Sequence, residues 1–343
     1  MVENVRWGIL GTSAIATKRV IPAMQQSALV TVLGIASRDL DKARWTADAA
    51  GIARAYGSYE ALLADPEIEA VYIPLPNTLH LEWSLKALER GKHVLCEKPL
   101  AMNAAEAEVL AQAAARSGLV VEEGFAFVNH PQWDFLQATI ASRQIGTVRS
   151  VHVLLAYNNF NPADLRNNPA EGGGALYDIG CYAIKACRLI FKDEPIRVTG
   201  LFDMDPNFGT DRLTSALLQF PQGHGSITVS TQAGPDTGGT HQQLGILGSR
   251  GWLSADFPFS HSTPSACHVA LGDGSALGGL PTRIYPFPVV NQYQLQAERF
   301  SRLVRGLPAR AWPLSHAEGN MRVLDALFRS QASKSWEMVS LPA

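Results

Sequence analysis

The chain has 343 residues, of which 17% are charged and 46% hydrophobic, with a formal net charge of −2. This composition excludes a disordered chain and fits two cores of ordinary domain size, and the near-neutral charge gives nucleic acid or an anionic membrane no electrostatic hold. The first residues, Met1-Val2-Glu3-Asn4-Val5-Arg6-Trp7, do not read as a secretory signal, no apolar run is long enough to span a bilayer, and four cysteines without a Cys-x-x-Cys pair are too few for a disulfide scaffold, so a cytoplasmic protein with reduced thiols is expected.

Val5–Leu10 is a short apolar run, as in a strand buried on both faces. Gly11-Thr12-Ser13 breaks it, and residues 14–26 have helical spacing. A second strand follows over 30–37, then a helix over 39–50 that Gly51 closes. A short strand over 53–56 leads to a brief helix capped by Ser58 and stopped at Asp65-Pro66. Ala70–Ile73 is a fourth strand, 78–90 a helix closed by Gly91, and His93–Cys96 a fifth strand. Asn103 with Glu106 has the form of a capping box. Gly118 ends that helix, and 119–123 is a sixth strand. Alternating strands and helices with short connections predict a parallel sheet covered on both faces.

The pattern changes near Gly124. Longer strands are expected over 148–157, 197–202, 215–220, 226–231 and 243–247, with helices over 132–142, 175–191, 292–306 and 318–330. Residues 262–282, rich in Gly, Ser, Thr and Pro, are expected to form surface loops or hairpins. The expected fold is therefore α/β. A doubly wound, Rossmann-type parallel sheet occupies 1–124, and an α+β domain on a mostly antiparallel open sheet occupies 125–343. The final helix is a candidate to pack back on the first domain. An open sheet face suggests a homo-oligomer, dimer or tetramer. The nine histidines show no ligand spacing, so no metal is expected.

Strand one ends in Gly11-Thr12-Ser13-Ala14-Ile15-Ala16, which aligns Gly11, Ser13 and Ala16 with a dinucleotide-binding glycine motif. Serine replaces the middle glycine, but a helix N-terminus still directs amides at a phosphate. Gly11, Thr12, Ser13, Ala14 and Ile15 are the expected phosphate turn. Strand two ends in Ser37-Arg38 instead of an acid. An arginine there suits a ribose 2′-phosphate, so NADP is favoured over NAD; the bland alternative is a solvated Arg38 beside the helix cap Asp39.

Pro74-Leu75-Pro76-Asn77-Thr78-Leu79-His80 follows strand four, and Glu97-Lys98-Pro99 follows strand five, where an open α/β sheet binds ligands. The proline restricts Lys98, through either a trans or a cis bond. Together with Gly172-Gly173-Gly174-Ala175-Leu176-Tyr177-Asp178-Ile179-Gly180-Cys181-Tyr182, these segments resemble the Gfo/Idh/MocA family, most closely the branch of NADP-dependent xylose dehydrogenases and dimeric dihydrodiol dehydrogenases. The resemblance covers nearly the whole chain.

The resemblance implies that Pro74, Asn77, His80, Glu97 and Lys98 border the cofactor. His80 reads equally well as a helix-surface residue. It also implies that Lys98 contacts the reacting oxygen and that Asp178 and Tyr182 complete the catalytic set. Tyr182 stands where many members have histidine. A tyrosine ionises near pH 10 in water, and a neighbouring ammonium favours its phenolate. Asp178 and Tyr182 would share a face if both are helical. Cys96 and Cys181, next to Glu97 and Tyr182, read as small buried hydrophobes.

The segment 157–171 is dense in asparagine and carries Arg166, a lining suited to a polyhydroxylated ligand, although asparagine is also a turn former. Phe125, Asn159 and Arg166 join Lys98, Asp178 and Tyr182 as expected substrate contacts. No lysine–arginine cluster lies nearby to hold a phosphate, which favours an unphosphorylated sugar. Ala126-Phe127-Val128-Asn129 stands where the family carries a Met-Tyr-Arg-like stretch, so the arginine of that stretch is missing here. The expected activity is NADP-dependent oxidation of an aldose at C1 to a lactone, or reduction of a sugar carbonyl. The alternatives are a trans-dihydrodiol dehydrogenase and, from another class, a silent nucleotide-binding sensor or regulator.

Overall fold

A computed structural model describes residues 3–235, 238–259 and 267–339. The chain divides into two compact units: residues up to Ala126 with Asn291–Glu318, and Phe127–Val290 with the residues from Gly319 onward.

The first unit is built on β1 (Val5–Leu10), β2 (Val30–Ala36), β3 (Arg54–Tyr56), β4 (Ala70–Ile73), β5 (His93–Cys96) and β6 (Val121–Glu123). All pairings are parallel, in the order β3-β2-β1-β4-β5-β6. The chain winds outward from β1 to β3 and then returns to the other side of β1, so the strand order reverses between β1 and β4. Every residue of β4 is buried, as a strand flanked by helical layers requires. Asp39 caps the helix Leu40–Ala50 by accepting from the amides of Asp41 and Lys42, and Gly51 closes it in the left-handed region.

Two local expectations change. The segment after Gly11 is not a regular α-helix over 14–26. It is a π-helical turn, Ala16–Val20, leading into α-helical Ile21–Met24. Pro22 has no N–H to give to the preceding turn, and the Ile21 amide reaches back to the Ala16 carbonyl. At the helix Ala104–Ser117, Asn103 caps the Glu106 amide, but the Glu106 carboxylate accepts from Met102 N, one residue before the position a capping box uses.

The helix Gln292–Val304, placed by sequence in the second domain, packs in the first unit. Trp7 lies against Phe300 with ring centroids 5.0 Å apart and donates to Ser301 Oγ at 3.2 Å. Arg299 pairs with both oxygens of the buried Glu122 at 2.9 and 2.5 Å, and Arg305 with both oxygens of Glu69 at 2.8 and 2.9 Å. Amphipathic periodicity shows that a helix covers a core and does not show which one.

Among the described residues, the second unit carries nine strands: β7 (Val148–Ala156), β8 (Arg197–Met204), β9 (Asp211–Phe220), β10 (Gly223–Ser230), β11 (His241–Gly248), β12 (Trp252–Asp256), β13 (Cys267–Gly272), β14 (Arg283–Phe287) and β15 (Glu337–Met338). Their order is β14-β13-β12-β11-β7-β10-β9-β8-β15. The β7–β10 pair is parallel and the others are antiparallel. The expected loop over 262–282 contains β13; its residues 262–266 lie outside the described residues.

The helix Cys181–Phe191 lies against β7 and β10 on one face, close enough that a Cβ on Gly225 would stand 3.0 Å from Cys187 Sγ. Leu201, Leu217, Leu247 and Ile284 project from the opposite face, at 77, 48, 46 and 59% exposure. His152, Ser226 and Ser254 lie between them in register.

Arg299→Leu would leave the Glu122 carboxylate buried without its guanidinium, so we expect it to cost about 3 kcal/mol of stability. Urea unfolding at neutral pH measures this; a loss below about 1 kcal/mol would show that the pair does not fasten Gln292–Val304 to the sheet.

Candidate active site

In the first unit, the segments singled out by sequence gather at the carboxyl ends of the parallel strands. Gly11 adopts a φ of 124°, and a Cβ there would stand 3.1 Å from Leu75, so the turn after β1 depends on the missing side chain. Its amide donates to the Ala36 carbonyl at 3.0 Å, which ties the turn to the end of β2. Ser13 accepts from Ala16 N and Thr17 N and starts the π-helical turn. Thr12, Ser13 and Ile15 are half-buried and Ala14 is exposed. This glycine cradle beside a helix start fits a dinucleotide phosphate.

Ser37 is buried and accepts from Asp39 N at 3.2 Å. Arg38 is exposed, and among the described residues it pairs with no carboxylate. It lies near enough to Tyr59 to favour the phenolate, although burial has the larger effect and raises that tyrosine's pKa.

Lys98 is half-buried at the end of β5, and the Lys98–Pro99 bond is cis. Glu97 is buried, with Oε1 accepting from Tyr72 OH at 2.6 Å and Oε2 from Lys98 N at 3.3 Å. Its carboxylate therefore braces the segment from inside. His80 is also committed. It is fully buried, with Nδ1 2.8 Å from the Pro99 carbonyl and Nε2 2.9 Å from the Leu75 carbonyl. Burial, and to a lesser extent the Lys98 charge, depress its pKa to about 4. His80 is thus neither a helix-surface residue nor a ring presented to a cofactor.

Pro74 is buried and Asn77 half-buried. Phe125, just past β6, is buried. Tyr293, which the sequence reading missed, stands within electrostatic range of Glu97 and Lys98, with its pKa raised by burial and by the Glu97 charge. Nothing in the local sequence around Tyr293 signals that place, because it depends on where Gln292–Val304 docks.

In the second unit, Asp178 lies in a π-helical turn, Leu176–Gly180, that continues into Cys181–Phe191, where Tyr182 is the second residue. The i, i+4 alignment expected of a regular helix therefore does not apply at this end. Asp178 Oδ2 accepts from Tyr157 OH at 2.6 Å, and Oδ1 lies 3.2 Å from Arg166 Nε. The Asp178 charge, opposed by burial, raises the Arg166 pKa, while burial and the same carboxylate raise that of Tyr157. Arg166 keeps 46% of its side chain exposed. Tyr182 is half-buried among Phe127 and Phe259, at centroid distances of 5.6 and 5.8 Å. Asn320 donates to the Cys181 carbonyl at 3.0 Å beside it.

The asparagines that suggested a sugar lining are spent on the backbone. Asn161 and Asn168 accept from amides two residues on. Asn158 bonds Gly234 through both ends of its amide. Asn167 donates to the carbonyls of Asn159 and Asn161, and Asn159 Oδ1 accepts from Asn161 N. Turn formation accounts for their density; Asn159 is half-buried, with its Oδ1 taken by the Asn161 amide. The glycines lie directly under this loop: a Cβ on Gly173 would come within 2.6 Å of the Arg166 carbonyl, and Gly174 N donates to that oxygen at 2.8 Å.

Sequence also missed Asp211. This buried carboxylate, at the start of β9, accepts from Leu176 N at 2.8 Å and Thr214 Oγ1 at 2.7 Å, and so holds the start of the helix that bears Asp178 and Tyr182. Gly174, with φ of 114°, leaves it room, since a Cβ there would collide with the carboxylate. Cys96 and Cys181 are buried, and burial raises the pKa of the Cys96 thiol, as suits packing residues. Among the described residues, no group of three His, Cys, Asp or Glu side chains is placed to hold a metal, and no helix is long and apolar enough to cross a membrane.

Residues 5–125 match the NAD-binding Rossmann domain of the Gfo/Idh/MocA oxidoreductases, and residues 133–254 match a Gfo/Idh/MocA C-terminal domain. The chain belongs to the Gfo/Idh/MocA family. It is 44% identical, over 98% of its length and 100% of the relative's, to an uncharacterized oxidoreductase of Rhizobium meliloti. It is 35% identical to a D-xylose 1-dehydrogenase (NADP(+)) of Haloferax volcanii, over 94% of this chain and 96% of that one. A 3-ketoreductase from Actinomadura kijaniata, solved with NADP and TDP-benzene, superposes with a TM-score of 0.87 at 27% identity, covering 96% of this chain and 98% of its own. The protein is thus a nicotinamide-dependent oxidoreductase of this family.

Burial pushes the Asp211 carboxyl up to about 6, above the 3.8 of a free aspartate. Folding therefore takes up a proton. The stability this contributes is complete below pH about 4 and lost as pH rises through about 6, by about 3 kcal/mol. Asp211→Asn, which has no proton to lose, should gain that amount relative to the native chain between pH about 4 and about 7 in urea unfolding. Parallel stability curves would contradict it.

Proposed function

We propose that the protein transfers hydride between NADP and an unphosphorylated sugar, oxidising an aldose at C1 to a lactone or reducing a sugar carbonyl in the reverse direction. The observation that carries the reading is Lys98, held at the end of β5 by a glutamate that is itself anchored to Tyr72. A D-xylose 1-dehydrogenase (NADP(+)) and a 3-ketoreductase solved with NADP among the relatives support it.

The nicotinamide supplies the carbon that gives or takes the hydride. Lys98 acts on the oxygen of the reacting carbon, where an ammonium stabilises alkoxide-like charge. Tyr182 takes the hydroxyl proton during oxidation and returns it during reduction. Asp178, held by Tyr157 and Arg166, borders the sugar and accepts from its hydroxyls. Arg166 borders the same substrate. The sugar reading rests mainly on Arg166, Asp178 and the relatives.

Arg38 holds the 2′-phosphate of NADP, with Ser37 beside it. Its exposure at the end of β2 and its lack of a carboxylate partner among the described residues support this. A second copy of the chain covers the sheet face that carries Leu201, Leu217, Leu247 and Ile284, because four exposed apolar side chains on one open sheet face favour burial.

A panel of aldoses, polyols, sugar phosphates and trans-dihydrodiols with NADP or NAD, followed by nicotinamide absorbance, tests the function. Turnover of aldoses with NADP is expected, and turnover confined to dihydrodiols or phosphorylated sugars would overturn the substrate class. Arg38→Ala should weaken NADP by at least about tenfold, since a lost charge-assisted pair is worth about 1.5–3 kcal/mol, and leave NAD nearly unchanged. Equal losses for both would remove Arg38 from the phosphate site.

A further inference from the structure

His80 occupies a position whose hydrogen bonding cannot be balanced by a neutral ring. Its two nitrogens face two carbonyl oxygens, those of Pro99 and Leu75. Carbonyls only accept, while a neutral imidazole has one N–H and one lone pair. Burial and the neighbouring Lys98 charge keep the ring neutral at physiological pH, so only one of the two contacts is a hydrogen bond.

The surroundings of the two oxygens decide which one. The Pro99 contact is buried, and the Leu75 contact is partly open. A carbonyl without a donor costs most where water cannot reach it, which puts the proton on Nδ1, directed at Pro99. That carbonyl belongs to the residue next to Lys98, and the helix His80–Glu89, which packs against β4 and β5, carries the ring. On the other side of Lys98, Tyr72 holds the Glu97 carboxylate. Lys98 therefore has a brace on each flank, one through Glu97 and one through the Pro99 carbonyl.

We propose that His80 is a positioning residue for Lys98, acting through an Nδ1–H donated to the Pro99 carbonyl, and is not a cofactor ligand. This rests on the reading that Lys98 acts on the reacting oxygen, but the geometry of the brace can be tested without any substrate.

Asparagine places its amide nitrogen close to where histidine has Nδ1, and glutamine places it close to Nε2. His80→Asn should therefore keep the donor to Pro99, and His80→Gln should lose it. In the full chain, hydrogen exchange at the Lys98 and Leu100 amides should stay within about twofold of the native rate in His80→Asn and rise about tenfold or more in His80→Gln. With D-xylose as probe, kcat should fall about tenfold or more in His80→Gln alone, with KM and the NADP Kd within about twofold in both variants.

Indistinguishable exchange in the two variants, or a loss of NADP affinity that matches the loss of kcat, would overturn the proposal. If D-xylose is not turned over at all, the exchange comparison still decides the brace, and only the sugar reading suffers. Should either variant fail to fold, the ring nitrogen chemical shifts of His80 in the native chain decide instead: a proton on Nδ1 is expected, and one on Nε2 contradicts the proposal.

Discussion

The parallel pairing of β1 with β4 is the constraint on which the rest of the first unit depends. Because the chain first winds from β1 to β3 and only then crosses back, the connections after β1 and β4 leave a crevice between them. Gly11, Ser37 and Arg38, Pro74 and Asn77, and Lys98 all follow carboxyl ends of strands in this sheet. The Gly11 amide closes on Ala36, Glu97 N on the Ile73 carbonyl, and Gly124 N on the Cys96 carbonyl. Each of these segments is thus fixed by the ladder of the strand next to it, before any side chain is considered.

Side chains then refine that placement at a cost in buried polarity. Glu97, His80 and Asp211 are all buried, and each is spent on positioning: Glu97 between Tyr72 and the Lys98 amide, His80 between two carbonyls, Asp211 on the amide of Leu176. Both helices that follow the glycine-bearing turns, at Ala16–Val20 and Leu176–Gly180, have π-helical geometry near their start. A widened first turn changes where the early side chains point, and such turns recur at functional sites.

Much of the first unit was legible in the sequence, because a parallel sheet covered on both faces imposes unbroken apolar strands such as Ala70–Ile73 and glycine stops such as Gly51 and Gly118. The second unit was less so. β12, β13 and β14 are short and lie near a Gly- and Ser-rich stretch whose composition reads as loop. Gln292–Val304 was recognised as a helix, but its partners, Glu122 and Trp7, lie far away in sequence.

The same limit applies to the candidate site. Lys98, Asp178 and Tyr182 stand in motifs, whereas Asp211, Tyr157 and Tyr293 reach their places only through tertiary packing. The asparagines of 157–171 are ambiguous in sequence for a chemical reason, since the amide that suits a sugar hydroxyl also suits a tight turn, and here their oxygens cap turns.

The central claim is that Lys98 acts on the reacting oxygen and not on the fold or the cofactor. Lys98→Met keeps an apolar stem as far as Cε and removes the ammonium group with its charge and its hydrogen-bond donors. The most direct measurement compares its kcat with its NADP affinity. A fall in kcat of about a hundredfold or more with NADP bound as in the native chain is predicted, on the scale of losing one electrostatic stabiliser of the transition state. Near-native turnover in Lys98→Met would contradict the account.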